Sequence, residues 1–459
     1  MPFLQIIQLI IFWNSNKFLI ITSMKNIIIL LEYLFPLLLS AQTGYLTIRG
    51  RIVDATTQTA IPTATVYTIN KGVITQSNAD GVYELKLQDP YRDDLIVFSA
   101  YGYLRDTISV HKLTRHPDVK LKEGTVLLQQ VTVTAYTPQT VIQKAVSLIP
   151  KNYHSDTTVC TFFYRNWKMA NDSLYLFYEN VIETLRTGYG KDKQRGLTLS
   201  ETRKSMQSNY NTILRSRLLI CDSVYLLHLL LNKTSVEEHL SYRDNELFLD
   251  LVELPNAAYI FNRKYRKRFT YTMEEFNDGE RACYYVTMKG MNQTWRLTIN
   301  QDDFAITDIV MDGDTGTYQY PTGKLYRMDN PYSSRTVHSV HREIHYRKIR
   351  DKYTMVSDIW NSDITYICHQ EGIWRHAPAV QHFKGNKTLV MTNLRGGDCT
   401  FFDNADILNS KGTSYTELHP RGEVYDENYW EQLSIVPLET AIEEQVNEKL
   451  RVRRDPTGY

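Results

Sequence analysis

The alternation of apolar and polar positions divides the chain into three kinds of stretch. The first is continuous: Ile27–Leu39 is apolar except at Glu32 and Pro36, follows the basic Met24-Lys25-Asn26, and precedes the small residues Ser40-Ala41. That order predicts a signal peptide over residues 1–41, with Met24 as its natural start and cleavage before Gln42. The upstream Met1–Ser23 stretch reads as a mis-called start, with an extended signal or an anchor as the alternative. No cysteine follows the apolar run, so lipid attachment there is not expected. Beyond residue 41 no run reaches the roughly 20 apolar residues that a helix needs to cross a bilayer. The mature chain is expected to lack a transmembrane segment and to be soluble or peripheral to the outer membrane.

The second kind has a period of two. Leu46, Ile48, Gly50 and Ile52 alternate with Thr47, Arg49 and Arg51, giving a strand with one buried face. Asn78-Ala79-Asp80-Gly81 marks a turn, and Tyr83, Leu85 and Leu87 repeat the alternation after it. Leu95–Ala100 is a short apolar run that suits a central strand, turned by Tyr101-Gly102-Tyr103. Short strands with regular turn signals predict a seven-stranded β-sandwich over residues 45–123.

From Thr137 the period becomes helical. Thr137-Pro138 suits an N-cap and first helical position, and Val141, Ile142, Ala145, Leu148 and Ile149 share one face, with a stop expected at Pro150. Strands are then predicted at Thr161–Lys168 and Leu174–Ile182, joined at Asn171-Asp172, while the leucine-dense residues 214–241 predict a helix. A meander follows from Phe269 to Asp312, with turns at Asn277-Asp278-Gly279, Lys289-Gly290 and Asn300–Asp303. Val340–Tyr366 adds two long strands turning at Asp351-Lys352. A last helix spaces Leu438, Ile442, Val446 and Leu450 four apart and ends in Arg451, Arg453 and Arg454, which favour its dipole. The expected fold is mainly β with α+β character. A sandwich is followed by a linker strand over 124–137 and, over 138–459, by a curved antiparallel sheet with helices on its concave side.

Composition sharpens this picture in three ways. Hydrophobic content of 42% and charged content of 22% exclude wholesale disorder. A formal net charge of +1 supplies no field for holding nucleic acid, so no nucleic-acid partner is expected. The 32 tyrosines, with 16 Phe and 6 Trp, reinforce the strand reading. The five cysteines are far apart without a C-x-x-C pair, which argues against a zinc ribbon or thioredoxin-type site. They read as buried thiols, with a Cys368–Cys399 disulfide left open.

Gly50, Val53-Asp54, Ile61-Pro62, Ala64, Val66, Asn78, Asp80-Gly81, Tyr83 and Tyr101-Gly102-Tyr103 fall at spacings that resemble the carboxypeptidase-like regulatory domain. This transthyretin-like module is found at the front of Bacteroidota envelope proteins. The resemblance implies a module without catalytic residues and an envelope setting. Leu127–Tyr136 then resembles the segment after this module in TonB-dependent transporters, with Gln130 and Ala135 departing from the usual acidic residue and glycine. No plug follows, and the remaining roughly 320 residues fall short of a plug plus a barrel of about 22 strands. The transporter reading fails, and Val131, Thr132, Val133, Thr134, Ala135 and Tyr136 stand as a candidate partner strand for β-augmentation. The remainder is similar to uncharacterised C-terminal regions of Bacteroidota proteins carrying the same module. In layout it is also similar to LolA-like half-barrels.

Three groups invite chemistry. His338, His341 and His345 suggest a metal, but on a strand His338 points opposite to the other two, and no H-E-x-x-H occurs. No metal, cofactor or catalytic residue is assigned. Arg263, Lys264, Arg266, Lys267 and Arg268, with Tyr265 among them, form a candidate anion-binding run, set against a solvated strand edge guarded by charge. Asp302-Asp303 and Asp312-Gly313-Asp314 read as turns rather than calcium loops. The expected function is a non-enzymatic interaction or structural protein, exported to the periplasm or outer membrane. The sandwich would serve as docking module for an envelope protein. A periplasmic carrier of an apolar ligand is the alternative, and a hydrolase with an unrecognised site the third reading.

Overall fold

A computed structural model of the protein describes residues 45–69, 73–88, 94–124, 136–155, 158–186, 189, 211–221, 252, 260–262, 264–277, 281–319, 332–349, 351–368, 380–396 and 430–453. The expected signal peptide, Val131–Ala135 of the partner strand, and Arg263 lie outside them. No helix among the described residues is long and apolar enough to cross a membrane.

Seven strands form the sandwich: β1 (Tyr45–Asp54), β2 (Thr65–Thr68), β3 (Ile74–Gln76), β4 (Val82–Gln88), β5 (Leu95–Ser99), β6 (Asp106–Ser109) and β7 (Val119–Leu121). One sheet has the order β4-β1-β7 and the other β3-β2-β5-β6. A short helix, α1 (Val110–Leu113), links β6 to β7. The alternation seen in the sequence is the alternation of burial: Ile48 and Ile52 are inside, Arg49 and Arg51 outside. Val66, Tyr83, Leu85, Ile96 and Phe98 are fully buried. Each such aliphatic or aromatic side chain contributes about 1.5–3 kcal/mol by leaving water. Tyr83 meets Phe98 edge-on, and its hydroxyl donates to the Pro117 carbonyl at 2.7 Å. The same carbonyl explains Gly50, where a Cβ would lie 2.1 Å from its oxygen. Only glycine lets β1 approach the segment before β7 this closely.

Among the described residues, eleven antiparallel strands build the second region. They are β8 (Thr158–Ala170), β9 (Ser173–Arg186), β10 (Asn211–Cys221), β11 (Thr270–Asn277), β12 (Ala282–Gly290), β13 (Gln293–Asn300), β14 (Ile306–Gly313), β15 (Gly316–Gln319), β16 (Tyr332–Ile349), β17 (Lys352–Cys368) and β18 (Val380–Gly396). Their order is β10-β9-β8-β18-β17-β16-β14-β13-β12-β11, with β15 paired to β16 beside this path. Helix α2 (Pro138–Asn152) precedes the sheet and α3 (Thr440–Arg453) follows it. Thr137 and Thr140 form a reciprocal capping box that starts α2. Val141, Ile142, Ala145 and Ile149 of α2 are buried in one cluster with Leu297, Ile299, Ile306, Ile309, Ile344 and Met355.

Four expectations need correction. Residues 211–221 are the strand β10, not the start of a helix, and residues 222–241 lie outside those described. Two register shifts against β9, between Ile213 and Arg215 and between Arg217 and Leu219, break the period of two, so the leucines mimic helical spacing. Helix α2 continues past Pro150 to Asn152. The proline forfeits one backbone bond, but Asn152 donates to the Asp303 carbonyl at 2.6 Å and the Tyr153 hydroxyl to the Ile306 carbonyl at 2.6 Å, holding the last turn down. The turn expected at Lys289-Gly290 is made instead by Met291-Asn292, both at positive φ. Gly290 ends β12, where a Cβ would lie 2.1 Å from the Arg268 carbonyl oxygen. Leu438 precedes α3 rather than joining it.

Cross-strand pairing assigns the faces of the large sheet. Val286, Leu297, Ile309 and Ile344 are successive neighbours on the face that packs with α2. Tyr285, Thr298, Asp308, His345 and Ser357 are neighbours on the other. The sandwich meets this second face: Gln76 Nε2 donates to Ser357 Oγ at 2.6 Å, and Tyr101 stacks on Tyr285 at 5.4 Å. Tyr285 stacks in turn on Phe276 at 4.6 Å.

Candidate functional site

The junction of sandwich and sheet holds a cluster of buried charge. Strand alternation puts His341, Glu343 and His345 on one face of β16, opposite Asp312 and Asp308 of β14. Glu343 is the hub. It accepts from His341 Nε2 at 2.6 Å, from His345 Nε2 at 3.1 Å and, across the junction, from Thr63 Oγ1 at 2.7 Å. The other ring nitrogens donate to acids as well: His341 Nδ1 to Asp312 at 2.6 Å and His345 Nδ1 to Asp308 at 2.8 Å. Arg347 donates to Asp308 at 3.0 Å and reaches Ser99 of the sandwich at 3.3 Å, while Arg296 pairs with Asp312. Thr63 sits at φ 58, an uncommon conformation for a β-branched residue, where its hydroxyl reaches Glu343.

A neutral imidazole has one N–H, so rings that donate from both nitrogens are imidazolium. The hydrogen bond to Glu343 raises His341 from 6.5 to about 9, burial opposes this, and Asp312 adds to the rise. Burial pushes His345 down, but Asp308 and Glu343 outweigh it and the net shift is upward. Burial pushes Asp308, Asp312 and Glu343 up. Arg347 and His345 at Asp308, His341 and Arg296 at Asp312, and the two histidines at Glu343 overcome it, so all three end below the carboxylate range. Two imidazoliums and two guanidiniums therefore face three carboxylates. With no nitrogen lone pair exposed, neither histidine can act as a general base or bind a metal in this arrangement. The cluster holds the two modules together.

This fixes a pH dependence. A folded value above the unfolded one makes His341 fully stabilising below about 6.5, with the contribution lost as pH rises to about 9. His345 has the same sign. The depressed acids act oppositely, stabilising above the ordinary carboxylate range and losing this as pH falls through it. Thermal midpoints should be highest near pH 5–6.5, by roughly these limits, and fall toward pH 9. His341→Gln should flatten the alkaline decline; a slope unchanged in that variant would place its source elsewhere.

A second join lies in the C-terminal segment. Arg165 of β8 is buried against Glu179 of β9 and donates to the carbonyls of Val436 at 2.7 Å and Pro437 at 3.3 Å. The same segment binds the sandwich: Asn78 Nδ2 donates to the Leu438 carbonyl at 2.9 Å, Lys86 N to Ser434 Oγ at 2.8 Å, and Thr440 N to Asp80 at 3.1 Å. Residues 430–440 are thus a strap tied to both modules, and Trp430 is buried edge-on to Phe163. Ile442 and Val446 of α3 continue the contact onto Leu174 and Phe177.

Beside the network is a cleft of about 380 Å³ to which the sandwich contributes Tyr67, Val97 and Arg105, and the sheet Arg281, Arg347 and Lys348. Arg347 is already paired to Asp308, and Arg105, Arg281 and Lys348 outnumber Asp351 on the rest of the lining, so the cleft is basic.

The three histidines singled out by sequence are brought to one face but divided between two sites. A register shift between Val337 and Ser339 inserts His338 as an extra residue, overturning the expectation that it faces away. It bonds Thr365 and lies 5.7 Å from the His382 ring, a partner the sequence did not suggest because β18 is far along the chain. Of the basic run, Arg266–Arg268 form a single 3₁₀ turn leading into β11, with Lys264 and Arg268 over the Tyr265 ring and outside the cationic cleft. Tyr136, the described end of the partner strand, packs edge-on against Phe304 and accepts from Lys144 at 3.0 Å. Cys160 and Cys283 are buried, and Cys283 Sγ donates to the Asn300 side-chain oxygen at 3.6 Å. Asp303 caps its own turn by accepting from Ala305 N at 2.9 Å.

Residues 48–133 match the CarboxypepD_reg-like domain. No curated protein matches the chain. Among solved structures, lipovitellin, in a study of its lipid–protein interactions, is 11% identical over 53% of this chain and 26% of its own, with a TM-score of 0.23. The chain thus spans about a quarter of that protein's length. A putative membrane-associated protein of unknown function from Bacteroides fragilis is 10% identical over 76% of this chain and 98% of its own, with a TM-score of 0.13.

Proposed function

From a front module that is a carboxypeptidase-regulatory-like β-sandwich, a non-catalytic fold, we propose that the whole protein is a non-enzymatic interaction protein of the cell envelope. It is exported in the manner of Bacteroidota proteins carrying this module. The observation that carries this reading is the state of its histidine–carboxylate cluster. Both nitrogens of His341 and of His345 are committed to acids, and Glu343 is committed to Thr63 of the sandwich. Groups that a hydrolase would use for proton transfer instead fix one module on the other. The result is a joined two-module body, and the basic cleft is a surface to which both modules contribute. A carrier of apolar ligands is less supported. The rings of Tyr189, Tyr346 and Tyr353 each pack on that of Tyr153, in the same packed cluster as the apolar face of α2.

Fractionation of cells expressing the full chain, followed by mass measurement of the N-terminal peptide and by crosslinking, tests the proposal. The expected result is a chain beginning at Gln42, in periplasm or outer membrane, with a discrete crosslinked complex. A cytosolic chain retaining residues 1–41 would overturn export, and an envelope chain that crosslinks to nothing would overturn the interaction role.

A further inference from the structure

We infer that His338, Asp363 and His382 form a binding site for a divalent transition-metal ion of zinc's type, on the adjacent strands β16, β17 and β18. The three side chains offer donor atoms that all lie within 4.8 Å of one another. Their convergence is a product of register. Asp363 is paired to Ser339 and Thr365 to His382, so Asp363 and His382 are diagonal neighbours on one face. Regular alternation would carry His338 to the opposite face. The bulge between Val337 and Ser339 turns it back, the re-aiming for which bulges are used next to functional sites.

The donor set fits the ion. Two imidazoles and one carboxylate are borderline and hard donors suited to zinc, and three protein ligands leave a fourth position for water or a donor from elsewhere. Ligand atoms about 2.0–2.1 Å from a tetrahedral centre stand roughly 3.4 Å apart, so modest ring rotations close the set. His382 Nε2 now shares a proton with Asp363 Oδ1 at 2.6 Å. An ion seated between them replaces that proton, which passes to solvent. The supporting shell is in place: Thr365 Oγ1 contacts His338 Nε2 at 2.8 Å. The His382 backbone is held on both sides by Asn171 of the β8–β9 turn, at 2.8 and 2.9 Å. His338 is exposed, and His382 and Asp363 have side chains 30% and 28% exposed, so an ion reaches them from solvent. The histidines of the junction differ in kind, because each of their nitrogens already faces a carboxylate.

Zinc titration of the mature chain in competition with a chromophoric chelator, together with cobalt absorption spectra, decides the matter. The expected result is one equivalent bound, a visible cobalt band of tetrahedral type, and a thermal midpoint that rises with zinc. His338→Ala and His382→Ala should each weaken binding by at least roughly tenfold, since even outer partners of metal ligands are worth that much. Asp363→Asn provides a conservative third variant, and far-UV circular dichroism shows that each is folded. Zinc binding of equal strength in the wild type and in folded His338 and His382 variants would overturn the site, as would failure of the wild type to bind.

Discussion

Replacing Glu343 with alanine is expected to cost about 3 kcal/mol of unfolding free energy and to loosen the sandwich from the large sheet. The carboxylate accepts three hydrogen bonds, one from the sandwich and two from imidazoliums. Its side chain is 13% exposed and that of His345 is 1% exposed. Deleting it strands positive charge where water does not reach, and the usual penalty for halving a buried pair is about 3–5 kcal/mol. The lower end applies because Asp308 still serves His345 and Asp312 still serves His341, whose side chain is 32% exposed. Glu343→Gln keeps the shape and part of the bonding and should cost less. Urea unfolding curves measure both, and a loss below about 1 kcal/mol for the alanine variant would remove Glu343 from the centre of the account.

The second large effect is expected at Arg165. Its guanidinium and the Glu179 carboxylate are 3% and 2% exposed, and it also bonds two carbonyls of the strap. Arg165→Ala leaves Glu179 buried without its guanidinium and releases the strap, for an expected loss of about 3–5 kcal/mol. Proteases should then cut near residues 430–440 at rates well above those of the wild type. The double replacement Arg165→Met with Glu179→Leu should recover much of the stability, since an apolar pair of similar volume removes the desolvation cost. It should not restore protection of the strap, because the carbonyls of Val436 and Pro437 stay unserved. Full protection in the double variant would show that the strap is held by its packing and its bonds to the sandwich, with Arg165 dispensable.

Local chemistry was legible in the sequence, and joins between distant segments were not. The period of two in Leu46–Ile52, together with Gly50 and Gly81, announced the sandwich. Thr137-Pro138 announced α2, because a capping box is written within four residues. Strand β10 was misread because its register shifts displace leucines from the alternation that identifies strands. His338 was assigned to the wrong face for the same reason: a bulge leaves no mark in residue type. The junction itself joins Thr63 to Glu343 across 280 positions, and Arg165 meets Val436 across 271. Nothing in either neighbourhood names its partner. His341, Glu343 and His345 were visible as a group rich in chemistry, but their use depended on the acids that β14 brings opposite them.

Hydrogen exchange of the protein, followed by mass spectrometry, tests most directly the claim that sandwich and sheet form one held body. Amides of β2 and β5, in the sandwich sheet nearest the junction, should open in the same cooperative event as those at the centre of β16 and β17. In Glu343→Ala they should open earlier than the large sheet does. Independent opening of β2 and β5 in the wild type, unaltered by the substitution, would contradict the account.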